Sequence, residues 1–227
     1  MKKINSLILL SFAVATCPMY AQVSFQKGSI VADFNGALGI YNTQTKDLTS
    51  QKTGADKAAT RMLYFGGEYG VLNWLGVGVR MQMNSFIVSK DSSQTYHSNG
   101  TITDNYFTPS VKSYDFSVLA NAHIIRTKKF DLAAGFLFGY SSLTFTWNDP
   151  NNTIGKGGGT VFDIHLNPRL YFGKHFGMNL NIAYASYNYS SLSFTSNSQS
   201  NPDKISLGAS GMAYSLGFQY RFSKFEK

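Results

Sequence analysis

The sequence predicts an all-β protein, an eight-stranded antiparallel up-and-down β-barrel that crosses a membrane. Three observations predict it. The chain opens on an export signal, it then alternates large apolar with small or polar residues in eight segments, and the connections between those segments are by turns tight and long.

The export signal comes first. Lys2 and Lys3 supply a positive start, residues 4–15 are mostly apolar, and Met19-Tyr20-Ala21 precedes Gln22 as a cleavage site. The apolar stretch is too short for a helix that spans a bilayer, and nothing after Gln22 resembles the soluble domain that a single anchor would carry. Residues 1–21 are therefore expected to be a signal peptide and residues 22–227 one barrel domain. Cys17 is the only cysteine. Thr16 before it and Pro18 after it disfavour lipid attachment. Once it is removed, neither a disulfide framework nor a thiolate metal site remains. Charged residues are 14% and aromatics 15% of the chain, with a slightly negative mean hydropathy. No later apolar run approaches the roughly 18 residues of a helical span, so this composition suits a closed sheet with one wet and one greasy face.

Side chains of a strand point to opposite faces with a period of two. Residues 29–42 and 61–72 alternate weakly. Leu75, Val77, Val79, Met81 and Met83 then oppose Gly76, Gly78, Arg80, Gln82 and Asn84. Residues 110–125 form the fourth, weaker segment. Phe130, Leu132, Phe136, Phe138 and Tyr140 oppose Asp131, Ala133, Gly135 and Gly139; Phe162, Ile164, Leu166 and Leu170 oppose Asp163, His165, Asn167 and Arg169. Phe176, Met178, Leu180, Ile182 and Tyr184 face away from Asn179 and Asn181. The last segment sets Met212, Tyr214, Leu216, Phe218, Tyr220 and Phe222 against Ser215, Gly217, Gln219 and Arg221. Pro168 lacks an N–H for the ladder, so a bulge or local break is expected there.

Tight links fall at Asn73-Trp74, Thr127-Lys128-Lys129 and Gly173-Lys174-His175, while residues 43–60, 90–109, 148–159 and 195–208 read as long polar loops. Barrels of the outer membrane combine short periplasmic turns with long extracellular loops, and an even strand number leaves no unpaired edge in lipid. A soluble barrel also alternates, with its apolar residues inside. Size separates the two: the apolar sets hold Phe, Tyr, Leu and Met, too large for a narrow interior that Gly, Ala, Ser and Asn would fit.

These residues carry a family resemblance. Through GMAYSLGFQYRF, the Ala21-Gln22 junction and the hairpins YFGGEYGVLNWLGVGVRMQMN and NPRLYFGKHFGMNLNIAYASY, residues 22–227 resemble the bacterial outer-membrane β-barrel domain family, with its small OmpA-type and OmpX-type members. The resemblance implies a place in the outer membrane of a Gram-negative cell, contact with membrane lipid and lipopolysaccharide, and insertion by the barrel-assembly machinery. That machinery reads a terminal aromatic strand, matched here by Tyr214, Phe218, Tyr220 and Phe222. The tail from Ser223 to Lys227 departs from the family pattern, which commonly ends at the aromatic residue. No catalytic motif and no cofactor carry over.

The inward set is expected to include Asp33, Asn35, Glu68, Arg80, Gln82, Asp115, Asn121, His123, Asp131, Asp163, His165, Arg169, Gln219 and Arg221. An eight-stranded barrel is filled by its own side chains, and unpaired charges inside it would be costly. A network is therefore expected in which Glu68 and the Asp residues, Asp115 and Asp163 among them, engage Arg80, Arg169 and Arg221, as a structural plug in preference to a gated pore. His123 and His165 read as structural histidines, for want of ligand spacing and thiolates. Gly155-Lys156-Gly157-Gly158-Gly159 lacks the phosphate-loop spacing and reads as flexible linkage in a surface loop.

Removal of Lys2 and Lys3 takes the formal charge from +8 to about +6, spread too thinly for nucleic-acid binding. The expected function is non-enzymatic, a structural or surface-contact role through the outer loops with an envelope or surface protein as a further partner. The alternatives are a narrow porin-like channel and a component of a secretion or envelope complex. A lipid-modifying enzyme would need a Gly-x-Ser-x-Gly or a Ser/His/acid cluster, and neither is visible.

Overall fold

A computed structural model describes residues 24–47, 51, 53–88, 91–96, 102–107, 109–147, 153–195 and 205–222. The expected signal peptide, Cys17 and the tail after Phe222 lie outside them. Ten strands occupy the described chain: β1 (Ile30–Asp47), β2 (Thr53–Gly70), β3 (Leu75–Ile87), β4 (Asp91–Tyr96), β5 (Ile102–Phe107), β6 (Ser110–Arg126), β7 (Phe130–Thr146), β8 (Ile154–Tyr171), β9 (Phe176–Thr195) and β10 (Ile205–Phe222). Strands β1, β2, β3 and β6 to β10 close in sequence order into an antiparallel barrel, sealed by β10 against β1 from Ile30↔Phe222 to Asp47↔Ile205. Strands β4 and β5 form a separate hairpin in the connection between β3 and β6.

The large apolar residues face outward. On β10, Phe218 is 53% exposed and its neighbour Gln219 only 2%. A belt of such residues circles the barrel from Ile30 to Ile40 on β1, Tyr114 to Ile124 on β6, Phe130 to Tyr140 on β7 and Met212 to Phe222 on β10. Each stretch is about the 9–11 residues that a tilted strand needs to cross a bilayer. Aromatic rings mark its two rims: Tyr69, Trp74, Phe172, Phe176 and Phe222 at the end with the tight turns, and Tyr114, Tyr140, Tyr184 and Tyr214 toward the other.

The strands continue past the belt. β1, β2, β8 and β10 each run 18 residues and β9 runs 20. This overturns two expectations. Residues 43–60 are mostly paired strand, because β1 and β2 stay in register to Lys46↔Thr53. Gly155–Gly159 is likewise strand, paired to both β7 and β9. The 90–109 connection carries the β4–β5 hairpin, and β9 and β10 take up part of the 195–208 segment.

The physical reason is a change of phase. Beyond the belt the outer face meets water, so apolar residues move to the inner positions: Tyr41, Val111, Leu143, Tyr187 and Tyr189 are buried there. Apolar-outward alternation stops while hydrogen-bonded pairing goes on. At Pro168 the β9 ladder passes from Leu166↔Ile182 to Arg169↔Asn179 with its register unchanged, a local break instead of a bulge. In this ladder a bulge lies in β9 opposite Gly158 and Gly159 and turns Leu192 inward, and a second irregularity falls in β6 between His123 and Ile125.

Candidate functional site

The barrel interior has a charged half at the turn end and an apolar half at the loop end. In the charged half, Glu68 on β2, His123 on β6, Asp131 on β7 and Arg169 on β8 converge. Arg169 Nη2 donates to Glu68 Oε2 at 2.6 Å, and its Nη1 lies 3.8 Å from Asp131 Oδ2. His123 meets Asp131 through Nδ1 and Glu68 through Nε2, each at 2.9 Å. A doubly protonated, cationic ring would donate to both carboxylates, and in that state the two cations and two carboxylates balance in charge.

Residues 24–29, ahead of β1, close this end. Ser24 N–H donates to the Thr127 carbonyl at 2.9 Å, and Gly28, at φ 82°, and Gly70 fix the segment through Gly28 N–H to the Gly70 carbonyl at 2.8 Å. Phe25 is fully buried and stacks on the His123 ring, 3.4 Å between centroids. Arg221 donates to the carbonyls of Ser24 and Lys174 and lies over the Tyr171 ring at 4.6 Å. It ties the segment before β1 to the barrel wall.

Halfway along, Arg80 donates to Asp163 Oδ2 at 3.3 Å and sits over the Tyr64 ring at 4.4 Å. Asp163 also holds His165 Nδ1 at 2.6 Å, and His165 Nε2 reaches Asn121 at 2.8 Å. Asp115 is different: its carboxylate accepts from Ser141 at 2.5 Å, Asn84 at 2.7 Å, Ser113 at 3.1 Å and Tyr187 at 3.2 Å. Hydroxyl and amide donors surround it where the sequence reading expects an arginine. Arg80 and Arg169 thus have carboxylate partners, Asp115 has neutral ones, and Arg221 is placed by carbonyls and a ring.

Between Tyr64, Arg80, Asp115, Asp163 and Tyr187 remains an internal cavity of about 20 Å³. That is room for about one water, not for a continuous file. At the loop end the interior opens into a cup of about 330 Å³ whose walls include Phe86, Val111, Leu143, Phe145, Tyr189 and Leu207. Sequence reasoning missed this cup and the Phe25 plug. The signal for the cup was there, in apolar residues at inner positions beyond the belt; nothing in residues 24–29 announces that they fold back inside.

His123 and His165 have fully buried side chains, engaged on both ring nitrogens. Among the described residues no group of three or more His, Cys, Asp or Glu is arranged to hold a metal. Tyr214, Phe218, Tyr220 and Phe222 all point outward on the strand that closes the barrel, with Tyr220 and Phe222 edge to face at 4.6 Å.

No family model and no curated protein matches the chain. Solved structures match it in fold. The outer membrane protein OprG of Pseudomonas aeruginosa aligns with a TM-score of 0.58 at 14% identity, over 88% of this chain and 99% of that one. The outer membrane protease OmpT of Escherichia coli aligns with a TM-score of 0.55 at 12% identity, again over 88% and 99%. At such identities the likeness is one of fold. The neighbours are bacterial outer-membrane barrels, and one of them is a protease.

Proposed function

We propose that the chain is an exported outer-membrane barrel, closed to ion flow and without enzymatic activity, that acts through contacts at its loop end. The observation that carries this reading is the pairing of a full apolar belt outside with an interior blocked by the Glu68–His123–Asp131–Arg169 cluster and the Phe25 plug. Residues 1–21 would direct export, residues 22–227 form the barrel, and Tyr214, Phe218, Tyr220 and Phe222 present the strand to the assembly machinery. The turn end then faces the periplasm. The polar network serves as a structural plug, and a catalytic role for His123 or His165 is disfavoured by their burial.

The test has two parts. The unboiled protein from the outer-membrane fraction should migrate faster on a gel than the boiled one, and the pure protein should give no discrete conductance in a planar bilayer. Reproducible single-channel steps would overturn the closed barrel. Orientation is tested on intact cells: an impermeant amine reagent should label Lys46, exposed at the loop end, and spare Lys128, exposed at the turn end.

The cup favours a second reading, capture of a small apolar solute from outside. Its volume is at the lower end of ligand pockets, and its walls are mostly aliphatic and aromatic, with Thr43, Thr45, Asp56 and Lys57 on one side. Trp147 stacks on Phe145 at 5.6 Å, so in a Trp74→Phe background its fluorescence reports on the cup. A saturable change with a medium-chain alkane or fatty alcohol, lost in Leu143→Asp, supports capture; no change at the solubility limit removes it.

A further inference from the structure

On most strands, the first outward polar residue beyond the belt is small or neutral: Asn42 on β1, Ser142 on β7, Thr160 on β8, Ser186 on β9 and Ser210 on β10. The β2–β3–β6 sector differs. There the first outward polar positions are Arg61, Ser85 and Lys112, and the register sets them side by side: Arg61↔Ser85 and Ser85↔Lys112. All three are exposed. Two strand spacings separate the cations, roughly 10 Å at the backbone. Among the described residues no carboxylate pairs with either.

Directly below them in register lie Leu63, Met83 and Tyr114, more than half exposed in the belt. A groove of about 730 Å³ on the outer wall is lined by Arg61, Ser85 and Lys112 and by Leu38, Leu63 and Met83 among others. Gly36 leaves a notch in its floor: a Cβ there would meet nothing nearer than Leu63 at 3.9 Å. The groove thus joins an apolar trough to a pair of cations and a hydroxyl.

We propose that this groove is a binding site for one phosphorylated, multiply acylated lipid of the outer leaflet, the lipid A portion of lipopolysaccharide. Acyl chains lie along Leu38, Leu63 and Met83 and over the Gly36 notch, and a phosphate sits between Arg61 and Lys112. Planar guanidinium and mobile ammonium both suit phosphate oxygens, and Ser85 donates from between them. A general attraction of basic residues to anionic headgroups would not need the notch, the pairing across one serine or a confined sector.

The proposal rests on the outer-membrane reading. The experiment places the full mature chain in phosphatidylcholine nanodiscs doped with bis-phosphorylated lipid A, dephosphorylated lipid A or phosphatidylglycerol, and counts retained lipid by native mass spectrometry. Wild type should hold one bis-phosphorylated lipid A. Arg61→Gln/Lys112→Gln should weaken this by roughly 30-fold, at the strength usual for two basic residues near a membrane surface. Gly36→Leu, which fills the notch without a change of charge, should also release it; Lys156→Gln, outward on β8 and outside the groove, should not. Gel mobility of unboiled samples shows that each variant is folded. Equal retention by the double variant, of dephosphorylated lipid A, or of phosphatidylglycerol overturns the site while leaving the outer-membrane reading intact. Recovery of the protein only in the soluble periplasm sinks both.

Discussion

Arg169→Met should be among the most damaging single substitutions in the barrel. Arg169 is 2% exposed, with one guanidinium nitrogen 2.6 Å from Glu68 and the other 3.8 Å from Asp131. At an effective dielectric near 20 these separations correspond to gross attractions of roughly 6 and 4 kcal/mol, most of it offset by desolvation of the charges. The loss of the cation has no such offset. Two buried carboxylates would be left facing His123 alone, and removal of one partner of a buried network costs about 3–5 kcal/mol. The assay is urea-dependent folding into lipid vesicles, followed by the mobility of unboiled protein. Glu68→Gln/Arg169→Met removes one charge of each sign and should be less harmful than the sum of its single variants by about 1–3 kcal/mol. If Arg169→Met costs less than about 1 kcal/mol, or the two substitutions add within roughly 0.5 kcal/mol, the cluster is not a coupled buried network.

Ile164→Arg, in the middle of the belt and 53% exposed, should cost about 2–4 kcal/mol in the same assay, and Ile154→Arg, on the same strand beyond the belt, about 0–1 kcal/mol; equal costs would mean that the belt does not lie in lipid. Gly139→Ile should destabilise by roughly 1–3 kcal/mol, because a Cβ there runs into Ser117 and the Phe116 carbonyl. A neutral outcome would contradict that close approach. Tyr187→Phe takes one hydroxyl donor from Asp115 and should cost about 1 kcal/mol without opening a conductance, since Ser141, Asn84 and Ser113 remain. Channel steps in this variant alone would make Tyr187 a gate.

The strand count, the faces and the tight turns were legible because a membrane barrel writes its belt into every second residue. Met212 to Phe222 shows this without ambiguity, with all six outward positions large and apolar. Partners inside the barrel were less legible. Arg80 and Asp163 lie on strands that are not neighbours, and only closure of the sheet brings them across the lumen. Asp115 illustrates the limit: its donors Asn84, Ser113, Ser141 and Tyr187 come from four strands and have no charge to betray them. Phe25 is a harder case, since a residue before the first strand has no register from which its position follows.

The failure at residues 43–60 leads to the organisation of the whole molecule. On β7 the large apolar positions are mainly even-numbered through Tyr140, with Leu137 already turned inward, and become odd-numbered at Leu143 and Phe145; on β9 they pass from Tyr184 to Tyr187 and Tyr189, and on β3 from Met83 to Phe86. On β7 this occurs with no slip in pairing, since both neighbours keep their register from Phe136 to Leu143. The barrel therefore obeys two solvents in turn. Within the belt it is inverted, greasy outside and charged inside; beyond it, it is an ordinary water-soluble barrel with an apolar core. Each half covers the surface that its solvent would penalise. The same division places the possible functions. The charged half fixes the scaffold through its ion pairs, while the extended half holds a largely apolar cup at the loop end. The boundary between them, where Arg61, Ser85 and Lys112 sit, is where a lipid with both phosphate and acyl chains has most to recognise.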